Sequence, residues 1–82
     1  MTSPNSLKEL VEFTARQIVD DPDSVRVNEI LGATSVVLEL SVAPEDMGRV
    51  IGRDGQVANA MRTILRCLGA KQDKRVTLEI VE

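Results

Sequence analysis

Apolar residues recur at two different spacings along these 82 residues, and each change of spacing marks a change of element. Leu7, Leu10, Val11, Thr14 and Ile18 sit three or four apart, which predicts a helix over about 6–19 with one apolar face. Ser6-Leu7-Lys8-Glu9 matches a capping box at its start. Asp20-Asp21-Pro22 stops it, because proline disfavours helical backbone in the residue before it. The spacing then drops to two. Val25 and Val27 open a strand that ends near Leu31, and Gly32-Ala33-Thr34 is a short turn. From Ser35 to Val42 the chain alternates, with Val36, Leu38, Leu40 and Val42 on one side and Val37, Glu39 and Ser41 on the other. So short a turn predicts an antiparallel hairpin.

Pro44 suits the first position of a helix, and Glu45 and Asp46 suit its first turn, where the helix dipole favours acids. Met47, Val50 and Ile51 give this short helix an apolar side, and Gly52 ends it. A longer helix begins after Gly55. Val57, Met61, Ile64, Leu65 and Leu68 share one face, opposite Gln56, Asn59, Arg62, Thr63 and Arg66, and Gly69 is the expected C-cap. Lys71-Gln72-Asp73-Lys74 reads as a loop, and Val76, Leu78 and Ile80 as the inward positions of a last strand over about 75–81.

The predicted order is α-β-β-α-α-β. A helical crossover joins the second and third strands, so these are expected to be parallel neighbours. The fold class is therefore α/β, an α+β two-layer sandwich: a three-stranded mixed sheet covered on one face by three helices. Residues 1–5 are expected to be disordered and 6–82 to form a single domain.

Composition narrows the function. A hydrophobic fraction of 43% fits a folded chain. Cys67 is the only cysteine and there is no histidine, which removes an internal disulfide, the common zinc sets and an activated catalytic thiol. Cys67 itself reads as a small buried residue. No nucleophile–base pair is present, so the chain is not read as an enzyme, and neither a metal nor a cofactor is expected. No basic stretch followed by an apolar one opens the chain, and the apolar runs are too short to cross a bilayer. A cytoplasmic protein without membrane insertion is the expectation. Phe13, the sole aromatic residue, lies off the main stripe of its helix, at a core edge or an interface. One aromatic cannot supply a base-stacking platform on a sheet.

The net charge of −3 argues against a nucleic-acid partner until its distribution is considered. Residues 1–43 carry −4, residues 44–75 carry +3, and residues 76–82 carry −2. The positive segment also holds Gly48-Arg49-Val50-Ile51-Gly52-Arg53-Asp54-Gly55. Two glycines there bracket two polar residues between helices. Glycine takes positive φ and lets backbone approach a ligand. The start of the next helix offers unpaired amides, and Arg53 offers a forked donor suited to phosphate. Asp54 stands where an N-cap belongs. A bare G-x-x-G arises by chance about 0.4 times in a chain this long, so its placement carries the inference. The spacing fits neither a P-loop nor a dinucleotide-binding turn. Arg62 and Arg66, four apart on one face, form either a solvated surface or a ridge facing a nucleic acid, and Lys71, Lys74 and Arg75 share that ambiguity.

The stretch Arg49 to Gly55 resembles the KH-domain signature V-I-G-x-x-G, and the order α-β-β-α-α-β is similar to the bacterial, type II, KH arrangement. Val25-Arg26-Val27, Val42-Ala43-Pro44-Glu45-Asp46 and Val76-Thr77-Leu78-Glu79-Ile80 extend the likeness to the short stand-alone KH proteins of the KhpA family, from about Ser6 to Val81. The resemblance implies a non-catalytic protein that holds about four nucleotides of single-stranded RNA in a groove. Gly52, Arg53, Asp54 and Gly55 would touch the phosphates, Ile51 would lie on the groove floor with Arg49 nearby, and Asn59 and Arg62 would face the RNA. It also implies post-transcriptional or ribosome-linked regulation, self-association as a homodimer, and a larger KH partner of the Jag type. A protein-interaction module with minor or lost RNA contact is the alternative, motivated by the acidic surface outside 44–75.

Overall fold

The computed structural model describes residues 6–81, without the side chain of Ser6, so the expected capping box and the expected disorder of residues 1–5 lie outside the described residues. The elements are α1 (Ser6–Ile18), a 3₁₀ turn at Pro22–Ser24, β1 (Arg26–Leu31), β2 (Ser35–Ser41), a 3₁₀ turn at Pro44–Asp46, α2 (Met47–Ile51), a 3₁₀ turn at Arg53–Gly55, α3 (Gln56–Lys71) and β3 (Arg75–Val81). The strand order is β1-β2-β3. β1 and β2 are antiparallel, with Val27 opposite Leu40 and Leu31 opposite Val36, and β2 and β3 are parallel, with Val36 beside Val76 and Leu38 beside Leu78.

The alternation in β2 sets the core. Leu38 and Leu40 are fully buried under the helices. Val11 and Ala15 of α1, Val50 of α2 and Leu65 of α3 meet them from above. Each fully buried leucine of this kind contributes about 2 kcal/mol of transfer free energy. α1 rests on β1 and β2 and α3 on β3, so α2 and its flanking turns occupy the end of the sheet where β2 leaves it.

The expectations at Gly69, Ile64, Cys67 and the core-edge reading of Phe13 need correction. Gly69 does not end a helix: α3 continues to Lys71, and Gly69 is buried within it. A Cβ there would lie 2.6 Å from Cγ2 of Val76 and 2.7 Å from the Lys74 carbonyl oxygen, so the glycine lets β3 start against the helix. The helix end is a Schellman motif one turn later. The Lys74 amide donates to the Gly69 carbonyl at 2.9 Å and the Asp73 amide to the Ala70 carbonyl at 3.2 Å, with Asp73 in the left-handed position at φ 57°. Ile64 is 52% exposed rather than core. Cys67 is exposed. Both follow from how α3 rolls onto the sheet, through Ala58, Met61, Leu65 and Gly69. Phe13 is 63% exposed, which rules out a core edge.

Candidate nucleic-acid interface

α2 stops because Gly52 turns its backbone to φ 78°, ψ 175°, while its amide still donates to the Gly48 carbonyl at 2.9 Å. A single turn follows, closed by the Gly55 amide on the Gly52 carbonyl at 3.2 Å, and α3 begins at Gln56. Gly52 is required twice over. Its φ is positive, and a Cβ would lie 2.5 Å from Cγ2 and 2.8 Å from the amide nitrogen of Val57. Any side chain there would push α2 and α3 apart. Gly55 is required by its φ of 76° alone, since the nearest atom to its Cβ would be Nδ2 of Asn59 at 3.5 Å.

Asp54 does not cap α3. It sits at φ 55°, ψ 28°, Gly55 occupies the N-cap position, and no side-chain cap bond forms. An N-cap side chain bonds the helix from extended backbone, which Asp54 does not have. Its carboxylate is exposed, as is the Arg53 side chain. The amides of Arg53 and Asp54 have no acceptor among the described residues. Successive amides in a turn of this sort form a concavity suited to an anion.

The flanks of the loop differ. On one, Ile51 is 38% exposed and lines an open cleft of about 400 Å³ with Val42, Pro44 and Met47. These three escaped the sequence reading, because Val42 signals only an inward strand position and Pro44 only a helix start. On another, Asn59 carries the site along α3. Its Oδ1 accepts from Nη1 of Arg62 at 3.2 Å, and Nε of Arg62 donates to the Leu78 carbonyl of the edge strand β3 at 3.2 Å. A polar track thus runs from Gly55 through Asn59 and Arg62 to β3. Arg49 points elsewhere, with Nη2 3.0 Å from Oδ2 of Asp20 and Nε 3.7 Å from Oδ1 of Asp46.

Asp46, assigned by sequence to helix-dipole stabilisation, has a different task. It is 1% exposed, and its two carboxylate oxygens accept the amides of Asp20 and Asp21 at 3.2 and 3.1 Å. It fastens the exit of α1 to the start of α2. Neither its spacing nor its place after Pro44 and Glu45 signals that task.

A glycine-bracketed turn between two helices, on a mixed three-stranded sheet in the order α-β-β-α-α-β, defines the class as a type II KH domain. The family model described as KhpA/KhpB, KH domain matches residues 8–80, and the chain belongs to that family. The family is a non-catalytic class of KH protein. The chain is similar to the RNA-binding protein KhpA of Clostridium perfringens, 51% identical over 92% of this chain and 100% of the relative. It is likewise similar to the RNA-binding protein KhpA of Aquifex aeolicus, 53% identical over 95% of this chain and 99% of the relative. The protein of that name from Chlamydia pneumoniae is 38% identical over 93% of this chain and 97% of the relative. No solved structure gave a significant match. Among the described residues, no helix is long and apolar enough to cross a membrane, and no group of metal-ligating side chains exists.

Proposed function

We infer that this chain binds single-stranded RNA, holding about four nucleotides beside the Gly52-Arg53-Asp54-Gly55 turn. The observation that carries this reading is the turn itself: two left-handed glycines place the free amides of Arg53 and Asp54 at the surface between two helices. The strand's phosphates meet those amides and the Arg53 guanidinium. Ile51 and the cleft it shares with Val42, Pro44 and Met47 take the apolar face of a base, while Asn59 and Arg62 supply hydrogen bonds. The names of the curated relatives support RNA as the ligand. Residues 6–82 act as one unit, in the cytoplasm, in post-transcriptional or ribosome-linked regulation, and a larger KH protein of the Jag type is a candidate partner.

The test is a titration of labelled single-stranded RNA with the wild-type chain and Arg53→Asp at low salt. The substitution removes one phosphate contact and adds a repulsive one, so at least about tenfold weaker binding is expected, with the salt slope reduced by about 0.7. Equal binding by both proteins, or binding by neither, overturns the reading.

A second reading, a protein-interaction module, is favoured by one observation. Phe13 on α1 and Ile64 on α3 are 63% and 52% exposed, and Ile64 rims a small apolar dimple with Leu10 and Thr14. Large apolar side chains so placed suit a second copy of this chain or a related partner.

A further inference from the structure

We propose that Asp46 is a positioning residue for RNA binding: its buried carboxylate sets the pose of α2, and through it the angle at which the glycine turn and the adjoining cleft meet a nucleotide. The inference rests on the RNA-binding reading above and deepens it with a residue that touches no RNA.

The dependence of α2 on outside support is the first observation. α2 has five residues and fully buries one of them, Val50. Helices this short do not hold themselves in water. No side-chain cap bond forms at its start or at the start of the 3₁₀ turn before it. At its far end Gly52 packs against Val57 of α3. At its near end the two Asp46 oxygens accept the Asp20 and Asp21 amides at 3.2 and 3.1 Å. Among the described residues, every polar bond between the chain after α1 and the α2 segment runs through Asp46 or Arg49.

The chemistry of this clamp is the second. Two amides converging on one side chain need two acceptors, and a carboxylate supplies both on a short stem. Burying it is expensive, and an apolar residue in the same space generally costs a fold less. An apolar contact, however, leaves the angle between two segments soft, whereas paired hydrogen bonds are directional. Glu45 beside it is exposed, so the burial is particular to Asp46.

Location is the third. Asp46 stands in the chain between the two walls of the cleft: Val42 and Pro44 precede it, and Met47 and Ile51 follow it. From Asp46 to Gly52 is about 9 Å of helix rise. A tilt of about 10° shifts one end of such a lever by about 1.6 Å relative to the other. That shift alters the width of the cleft and turns the Gly52 peptide, which directly precedes the free amides of Arg53 and Asp54. A hydrogen bond to a phosphate lengthened by that much is lost.

The experiment titrates a labelled random-sequence single-stranded RNA octamer with the wild type, Asp46→Ala, Asp46→Asn, Arg53→Asp and Val36→Ala, with circular dichroism confirming that each is folded. Val36 is the control for lost stability: it is also buried, but at the opposite end of β2, about 20 Å away. Asp46→Ala removes a negative charge from a chain of net charge −3, which by long-range electrostatics alone strengthens binding to a polyanion. Positioning predicts the opposite sign. About tenfold weaker binding is expected for Asp46→Ala and about threefold for Asp46→Asn, which keeps one acceptor, with the salt slope unchanged because no cation leaves the phosphates. Val36→Ala is expected to bind like the wild type. In amide proton–nitrogen NMR spectra, the signals of residues 52–55 are expected to move in both Asp46 variants and not in Val36→Ala. Should Asp46→Ala fail to fold, the comparison of Asp46→Asn with Val36→Ala decides. Asp46 variants that bind as tightly as the wild type, or more tightly, while Arg53→Asp binds weakly, overturn the positioning role and leave the loop reading intact. Equal weakening in Val36→Ala also overturns it, since lost stability then suffices. Equal binding by the wild type and Arg53→Asp overturns the loop reading and the positioning role with it.

Discussion

A carboxylate that is 1% exposed in a domain this small is tolerated only because its oxygens are occupied, and Asp46 is so placed. Two backbone amides and the Arg49 guanidinium surround it. Truncation leaves the Asp20 and Asp21 amides without an acceptor, a penalty of the size usual for buried unsatisfied donors. Asp46→Ala is therefore expected to lose about 2 kcal/mol in urea unfolding, and Asp46→Asn, which keeps one acceptor, roughly half of that. An unchanged midpoint for Asp46→Ala would show that the clamp contributes nothing. Asp73 and Asp54 are the opposite case. Both take left-handed backbone, at φ 57° and 55°, where aspartate is tolerated and glycine is at ease. Sequence reasoning erred on both in opposite ways: it gave the end of α3 to Gly69, four residues before Asp73, and the start of α3 to Asp54, where Gly55 holds the N-cap position.

At the scale of the element, β1 carries an inward charge on the sheet edge. Glu29 lies on the helix-facing side between Val27 and Leu31, opposite the fully buried Leu38, and its Oε2 is buried without a hydrogen-bond partner. Such a residue destabilises the fold but discourages another strand from adding to the edge. Glu29→Val is expected to raise stability by about 1 kcal/mol and to increase aggregation on storage, read by denaturation and light scattering. A loss of stability would mean that the carboxylate has a partner in solution. Helices and strands themselves were legible in the sequence within a residue or two, because each shows its own period, except that the helix expected from Pro44 opens as a 3₁₀ turn over Pro44–Asp46 and becomes α2 only at Met47. The long helix was legible in extent but not in roll: the five apolar residues assigned to one face include Ile64, and Ala58 and Gly69 take its place in the buried stripe. Small residues carry little hydrophobic signal, yet they let a helix approach a sheet most closely.

For the whole molecule, two surfaces differ in chemistry. One, from the glycine turn along α3, is cationic. The other, across α1 and the outer part of α3, exposes Phe13, Ile64 and a shallow apolar dimple of about 40 Å³. If the apolar surface joins two copies of the chain, Ile64→Glu places a charge in the contact and gives a monomer while RNA binding persists. Light scattering after size exclusion measures this, and a wild-type monomer at all concentrations would sink it. Sequence alone determined the order of elements, the inward faces of the strands and the glycine-bracketed corner, because periodicity and backbone freedom depend on neighbours along the chain. Only the tertiary structure decided that Asp46 binds amides 25 and 26 residues away, that Arg62 is tied to a carbonyl 16 residues on, and that Arg49 turns toward Asp20. Those partners are brought together by packing, and nothing in the local pattern of residues encodes which distant backbone group will arrive beside a given side chain.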